Sequence, residues 1–231
     1  MFEKALKAEY VFQDYETEHL SMIGNFIGRH PVFFRKIYKA YRANEQSVSY
    51  EPDIGAPVTV MFSQEGKVIT VKRLKIEVTF QVQQFFKFLE LIDVCFLPII
   101  PIGSVVDIDL DMMSDTLKER IGDINQGAFV MIIAQKIALR ETLEGFYADY
   151  LAVLWPFGLQ ERMTPFLISN MMIRNIVHKG MTNGVEEEFK ARLKSKAVSD
   201  TLRSLTYITE DDTKNLRVNF DTERKNLKSG G

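Results

Sequence analysis

The 231-residue, 26.6-kDa chain has 46% hydrophobic and 26% charged residues. It is long enough to bury a sizeable core and too apolar to be disordered. Its 29 lysines and arginines nearly balance 31 aspartates and glutamates, so no global field draws it to nucleic acid or acidic lipid. The single cysteine, Cys95, lies in an apolar run, which excludes an intrachain disulfide and a thiolate metal cluster and predicts a buried, inert thiol.

In chain order, Phe2, Leu6 and Tyr10 recur at helical spacing over residues 2–13, and Leu20, Ile23, Phe26 and Ile27 repeat the pattern until Gly28 stops it. Pro31 then opens a third helix. One face of it carries Phe33, Phe34, Ile37, Tyr38 and Tyr41, and the other carries Arg35, Lys36, Lys39 and Arg42. The short turn before this basic helix admits a helix-turn-helix reading, but the slightly negative net charge ranks a protein partner above nucleic acid.

Residues 44–57 have loop composition. Val58, Val60 and Phe62 alternate as a strand, Gln64 to Lys67 can turn, and Val68 to Val71 return as the second arm of a hairpin. Strict alternation from Leu74 to Gln83 predicts another strand, and the longer period from Gln84 predicts a short helix.

The organising stretch is residues 96–110. Pro98 and Pro101 lack a backbone donor and exclude helical conformation from the residues before them, so a helix ends here and a strand begins at Ser104. Asp107, Asp109 and Asp111 share one strand face. As a calcium loop the segment fails, because Met112 and Lys118 stand where an EF-hand needs glycine and glutamate, so the three aspartates are expected to face water.

Beyond it, residues 114–127 predict a short helix and turn, Ala128 to Ala134 a central strand, Phe146 to Trp155 a second, and Ile173 to His178 a last. Val185, Phe189, Leu193 and Ala197 then predict a helix, its glutamates first and its lysines last as the helix dipole favours. Leu202, Leu205 and Ile208 suggest one more helix before a polar tail from Glu210.

The fold class is therefore α+β: N-terminal helices plus a small antiparallel sheet, then a second small β-rich domain with C-terminal helices. The expected division is an N-terminal domain at 1–95, a β-rich domain at 96–190 and a C-terminal helix and tail at 191–231.

No catalytic constellation is visible. His19, His30 and His178 fall in three separate elements without metal-binding spacing, and Gly103-Ser104-Val105-Val106 lacks the second glycine of a nucleophile elbow. The expectation is a non-catalytic protein with no cofactor and no metal. The candidate partner-binding residues are Phe33, Arg35, Lys36 and Lys39 on the third helix and Trp155 and Phe157 at the Trp-Pro-Phe corner. With no signal-peptide pattern and every apolar run broken short of about 18 residues, no membrane insertion is expected and the protein reads as cytoplasmic.

The second half also resembles a small bacterial family of unknown function with a Leu-Pro-Ile-Gly-Ser-Val-Val motif. Carrying the resemblance are Pro101-Ile102-Gly103-Ser104-Val105-Val106, Met131-Ile132-Ile133, Ala148-Asp149-Tyr150, Trp155-Pro156 with Gly158, and Glu186-Glu187-Glu188. Ile100, Ala134-Gln135 and Phe157 depart from the family's pattern. Members are encoded near LXG toxins of the type VII secretion system of Gram-positive bacteria. The resemblance thus implies a cytoplasmic accessory protein whose partner is a secreted toxin or a secretion component. A chaperone or targeting adaptor is favoured over an immunity protein, because the extra N-terminal domain supplies a second surface. The oligomeric state is left open.

Overall fold

The computed structural model describes residues 1–63, 65–113, 118, 128–139, 145–159, 164–199 and 203–209. It is α+β, with N-terminal helices, an antiparallel sheet, a second β-rich region and helical turns towards the C-terminus.

Helix α1 (Phe2–Ala8), a 3₁₀ turn (Tyr10–Phe12), α2 (Thr17–Gly28) and α3 (Pro31–Arg42) come first, so the expected helix over 2–13 breaks at Glu9. Strands β1 (Ser47–Tyr50), β2 (Val58–Ser63), β3 (Val68–Arg73) and β4 (Ile76–Gln81) form a four-stranded antiparallel sheet in that order. The stretch read as loop over 44–57 contains β1: of its four residues only Val48 is buried, so the strand carries little apolar pattern.

Helix α4 (Val82–Phe96) starts on a reciprocal cap, with Gln81 accepting from the third helical N–H and Gln84 accepting from the Gln81 N–H at 2.9 Å. It is apolar nearly all round, as a helix enclosed on every side must be, and packs against α1, α2, β3 and β4. Close approach of α2 depends on Gly28, where a Cβ would stand 2.3 Å from the Phe96 ring. Rings fill this first core, Phe80 stacking on Phe88 at 5.2 Å between centroids. Cys95 on α4 is half-buried, and burial raises its thiol pKa.

Pro98 ends α4, and the chain turns at Gly103, whose φ of +82° is left-handed space that glycine enters freely. Strands β5 (Val105–Ile108), β6 (Phe129–Ala138), β7 (Phe146–Leu154), β8 (Phe166–Ile168), β9 (Ile173–His178) and β10 (Arg203–Ser204) build the second sheet, in the order β10-β7-β6-β5-β9 with β8 also on β7. All its pairs are antiparallel except β10 on β7. Helix α5 (Gly184–Ser199) packs against α4 and is exposed along most of its length. It starts before residue 191, so the expected 190/191 division falls inside a helix.

A second apolar core holds Ile99, Ile100, Val106, Val130, Ile132, Tyr150 and Ile173, while Met171 and Tyr207 insert into the first. The last expected helix is instead β10 followed by a 3₁₀ turn (Leu205–Tyr207). The expectations for 114–127 and for the tail from Glu210 lie outside the described residues, apart from Lys118.

Candidate functional site

Two places in the structure gather chemistry: the seam between the cores and the turn after β7. The seam is built on α4, whose Glu90 and Asp93 interrupt a run of buried apolar residues and are both buried themselves. Opposite them, β6 and β7 pair Gln135 with Tyr150 and Ile137 with Ala148, so Lys136 and Asp149 lie across from one another. A register shift between Ile132 and Ala134 precedes this point, and Lys136 itself has φ +43°, left-handed space that a side-chain-bearing residue seldom occupies. The outcome is an ion pair of 2.7 Å between the Lys136 ammonium and Asp149 Oδ1, with side chains 6% and 0% exposed. The ammonium also lies 4.8 Å from the Tyr147 ring centroid.

Around this pair the hydrogen bonds are directional and nearly complete. Asp149 Oδ2 accepts from the Asn170 backbone N–H at 3.1 Å and from Thr206 Oγ1 at 3.2 Å. Asp93 accepts from Asn170 Nδ2 at 2.7 Å and from the Tyr207 hydroxyl at 2.9 Å. The Tyr150 hydroxyl donates to Asn170 Oδ1 at 2.8 Å and accepts from the Ile100 N–H at 3.1 Å, so the network runs into the proline joint. Glu90 accepts from the Ser204 N–H, with the Lys87 ammonium 3.5 Å from its other oxygen.

Burial, then the charge of Asp149, pushes Asp93 up to about 6 against the opposing pull of Lys136, Asn170 and Tyr207. Burial likewise raises Glu90. Desolvation pulls Lys136 down, but Asp149 and Asp93 outweigh it and hold the ammonium above its ordinary value. Beside the network lies a cleft of about 260 Å³, reached by Arg42, Asp149, Ser169 and Thr206. None of these buried groups was singled out from the sequence as a site, although an isolated charge inside an apolar run (Glu90, Asp93, Asp149) is the signal that a buried partner must exist.

The expected partner-binding residues separate. Phe33 is 1% exposed and packs on Tyr50 at 5.3 Å, so it is core and corrects the sequence expectation. Arg35 is half-buried and donates to the Ile173 carbonyl, and Lys39 pairs with Asp109. These two cations clamp α3 to the second sheet, which takes half of the basic face away from any outside partner. Lys36 remains exposed. Asp109 is buried for the same reason, correcting the expectation of a solvated strand face, and Asp107 has Arg174 Nε at 3.4 Å.

Trp155 and Phe157, in contrast, are 48% and 47% exposed, with Leu159 exposed just beyond them. Trp155 meets Phe129 edge to face at 6.4 Å between centroids, which steadies one side of the ring and leaves the other to solvent. Among the described residues there is no group of three or more His, Cys, Asp or Glu side chains placed to hold a metal ion, and no helix long and apolar enough to cross a membrane.

Residues 99–189 match a family described as "Domain of unknown function (DUF4176)". The match covers the second core and the start of α5, the part of the chain that carries the Leu-Pro-Ile-Gly-Ser-Val-Val-like motif. No curated protein and no solved structure matches the chain.

Proposed function

We propose that the protein is a non-catalytic, cytoplasmic accessory protein that binds another protein through the aromatic corner after β7. The observation that carries this reading is the exposure of Trp155 and Phe157 on a single turn: rings of this size ordinarily go to the core, and exposed together they are the residue types that anchor protein interfaces. The seam is the weaker candidate, since Asp93, Asp149 and Asn170 already satisfy one another and their neighbours.

The partner class comes from the resemblance of residues 96–190 to proteins encoded beside LXG toxins, and the match to a domain family over 99–189 is compatible with it. The role is that of chaperone or targeting adaptor for such a toxin. Co-expression with the toxin encoded beside the gene, followed by affinity capture, is the test. Full-length toxin should be retained, and Trp155→Ala and Phe157→Ala should each weaken the complex about thirtyfold, since anchors of this type contribute about 2 kcal/mol or more each. Capture of the isolated toxic domain alone, with rescue from toxicity, replaces this role with immunity. If no toxin fragment is retained, the toxin-binding reading fails.

A further inference from the structure

The cleft of about 260 Å³ beside the seam is walled by the end of α3, by β8 and by residues 205–208, and its polar groups are not all spent. Asp149 meets Lys136, the Asn170 N–H and Thr206 Oγ1, and the Tyr38 hydroxyl donates to the Thr206 carbonyl at 2.7 Å. Ser169 and Arg42 are different. Ser169 is 8% exposed and occupies the N-cap of the 3₁₀ turn Asn170–Met172, where a serine hydroxyl ordinarily accepts from a free N–H of the turn. Ser204 does this for its own turn, accepting from the Thr206 N–H at 3.2 Å. Ser169 makes no such bond, and its hydroxyl has no hydrogen-bond partner among the described residues although the residue lines the cleft. Arg42, the last residue of α3, is half-buried on the same wall, and its guanidinium has no carboxylate or carbonyl partner among the described residues. The rest of the wall is mainly apolar, from Met112, Leu167, Ile168, Met172, Leu205 and Ile208.

We infer that this cleft binds a carboxylate that carries a short apolar body. An unpaired guanidinium presents parallel N–H donors in the geometry a carboxylate accepts, and the buried Ser169 hydroxyl supplies a further neutral donor. The apolar side chains take the body, which is short because the cleft falls below the volume of about 300–1,000 Å³ usual for drug-sized ligands. A phosphate fits less well: Arg42 is the only cation among the described residues of this wall, and the Asp149 carboxylate stands on it too. The same chemistry is offered by a free short-chain acid and by the C-terminal residue of a polypeptide. The inference stands independently of the aromatic corner, since it uses neither Trp155 nor Phe157.

Methyl NMR of the full chain tests this, with isocaproate and N-acetyl-Ala-Ala-Leu as probes and the neutral amide of each as its control. Isocaproate should shift the methyl resonances of Ile168, Met172 and Leu205 saturably with a Kd of about 1 mM, and its amide should bind about fivefold more weakly or worse. Arg42→Gln should remove the preference for acid over amide, and Ser169→Ala should weaken acid binding about threefold or more. Arg42 has no internal partner to lose, so the glutamine variant should keep its thermal transition; if it does not fold, Ser169→Ala carries the test. Tighter binding of the tripeptide than of isocaproate assigns the carboxylate to a polypeptide C-terminus, and equal or weaker binding assigns it to a free acid. No saturable shift with about 20 mM of either carboxylate, a smaller preference over the amide, shifts centred outside the cleft, a preference that survives Arg42→Gln, or a smaller loss in Ser169→Ala each overturns the proposal.

Discussion

Replacing Lys136 by methionine tests whether the seam holds the two cores together by charge. The side chain is 6% exposed and its ammonium is 2.7 Å from Asp149, so the substitution keeps most of the volume and removes the cation that faces both Asp149 and Asp93. Taking one partner from a buried ion pair typically destabilises by about 3–5 kcal/mol, because the remaining charge stays out of water. Methionine also inherits the left-handed backbone of residue 136, so no strain relief offsets the loss.

The pH dependence has a definite sign. Without the ammonium, Asp93 is pushed further above its ordinary value, the native state binds more protons than the unfolded chain, and stability falls as pH rises. Urea unfolding followed by circular dichroism should thus show a loss of about 3–5 kcal/mol at pH 8 that shrinks by pH 5.5. Adding Asp149→Asn should recover part of it, giving a coupling energy of about 2 kcal/mol or more in the double-mutant cycle. A loss under about 1 kcal/mol, equal at both pH values and additive with Asp149→Asn, would refute the reasoning.

Lys39→Met should destabilise by about 1–3 kcal/mol, less than Lys136→Met, because the Lys39 side chain is 41% exposed and water can reach part of the site it leaves beside Asp109; denaturant unfolding measures it. Gly28→Ala places a methyl 2.3 Å from the Phe96 ring and should lower stability by about 1–3 kcal/mol, seen as an earlier thermal transition. Phe33→Ala should cost about 3–5 kcal/mol as a core truncation, whereas Trp155→Ala and Phe157→Ala should each stay within about 1 kcal/mol of the parent in the same assay.

What was legible in the sequence follows from how local each signal is. The alternation of Ile76, Val78 and Phe80 against Glu77, Thr79 and Gln81 is set by a sheet with one wet face, and β4 forms there. The prolines at 98 and 101 stop a helix whatever surrounds them, and α4 ends at Phe96. β1 was hidden because Ser47, Ser49 and Tyr50 lie at a sheet edge and bury little. Arg35 and Lys39 point to an outside partner in the sequence because nothing on α3 announces that Ile173 and Asp109, far along the chain, come to meet them. Asp93, Lys136 and Asp149 escaped for the same reason: each partner lies in a different element, and only the pairing of β6 with β7 and the packing of α4 bring them together.

Two apolar cores meeting at a seam could have been joined by more aliphatic surface, which would resist separation but accept many docking angles. Hydrogen bonds from Asn170 to Asp93 and Asp149, and from Tyr150 to Asn170, accept one. The same Tyr150 receives the Ile100 N–H, so the prolines that end α4 and the charges that fasten the second sheet form one continuous device. Strand β7 carries it outward: Asp149 sits within the seam and Trp155 follows the end of the strand, about 20 Å further on at the rise of an extended chain. The exposed aromatic corner is thereby held at a set distance from the N-terminal core, so the hydrogen bonds that fix the seam also fix where Trp155 and Phe157 stand.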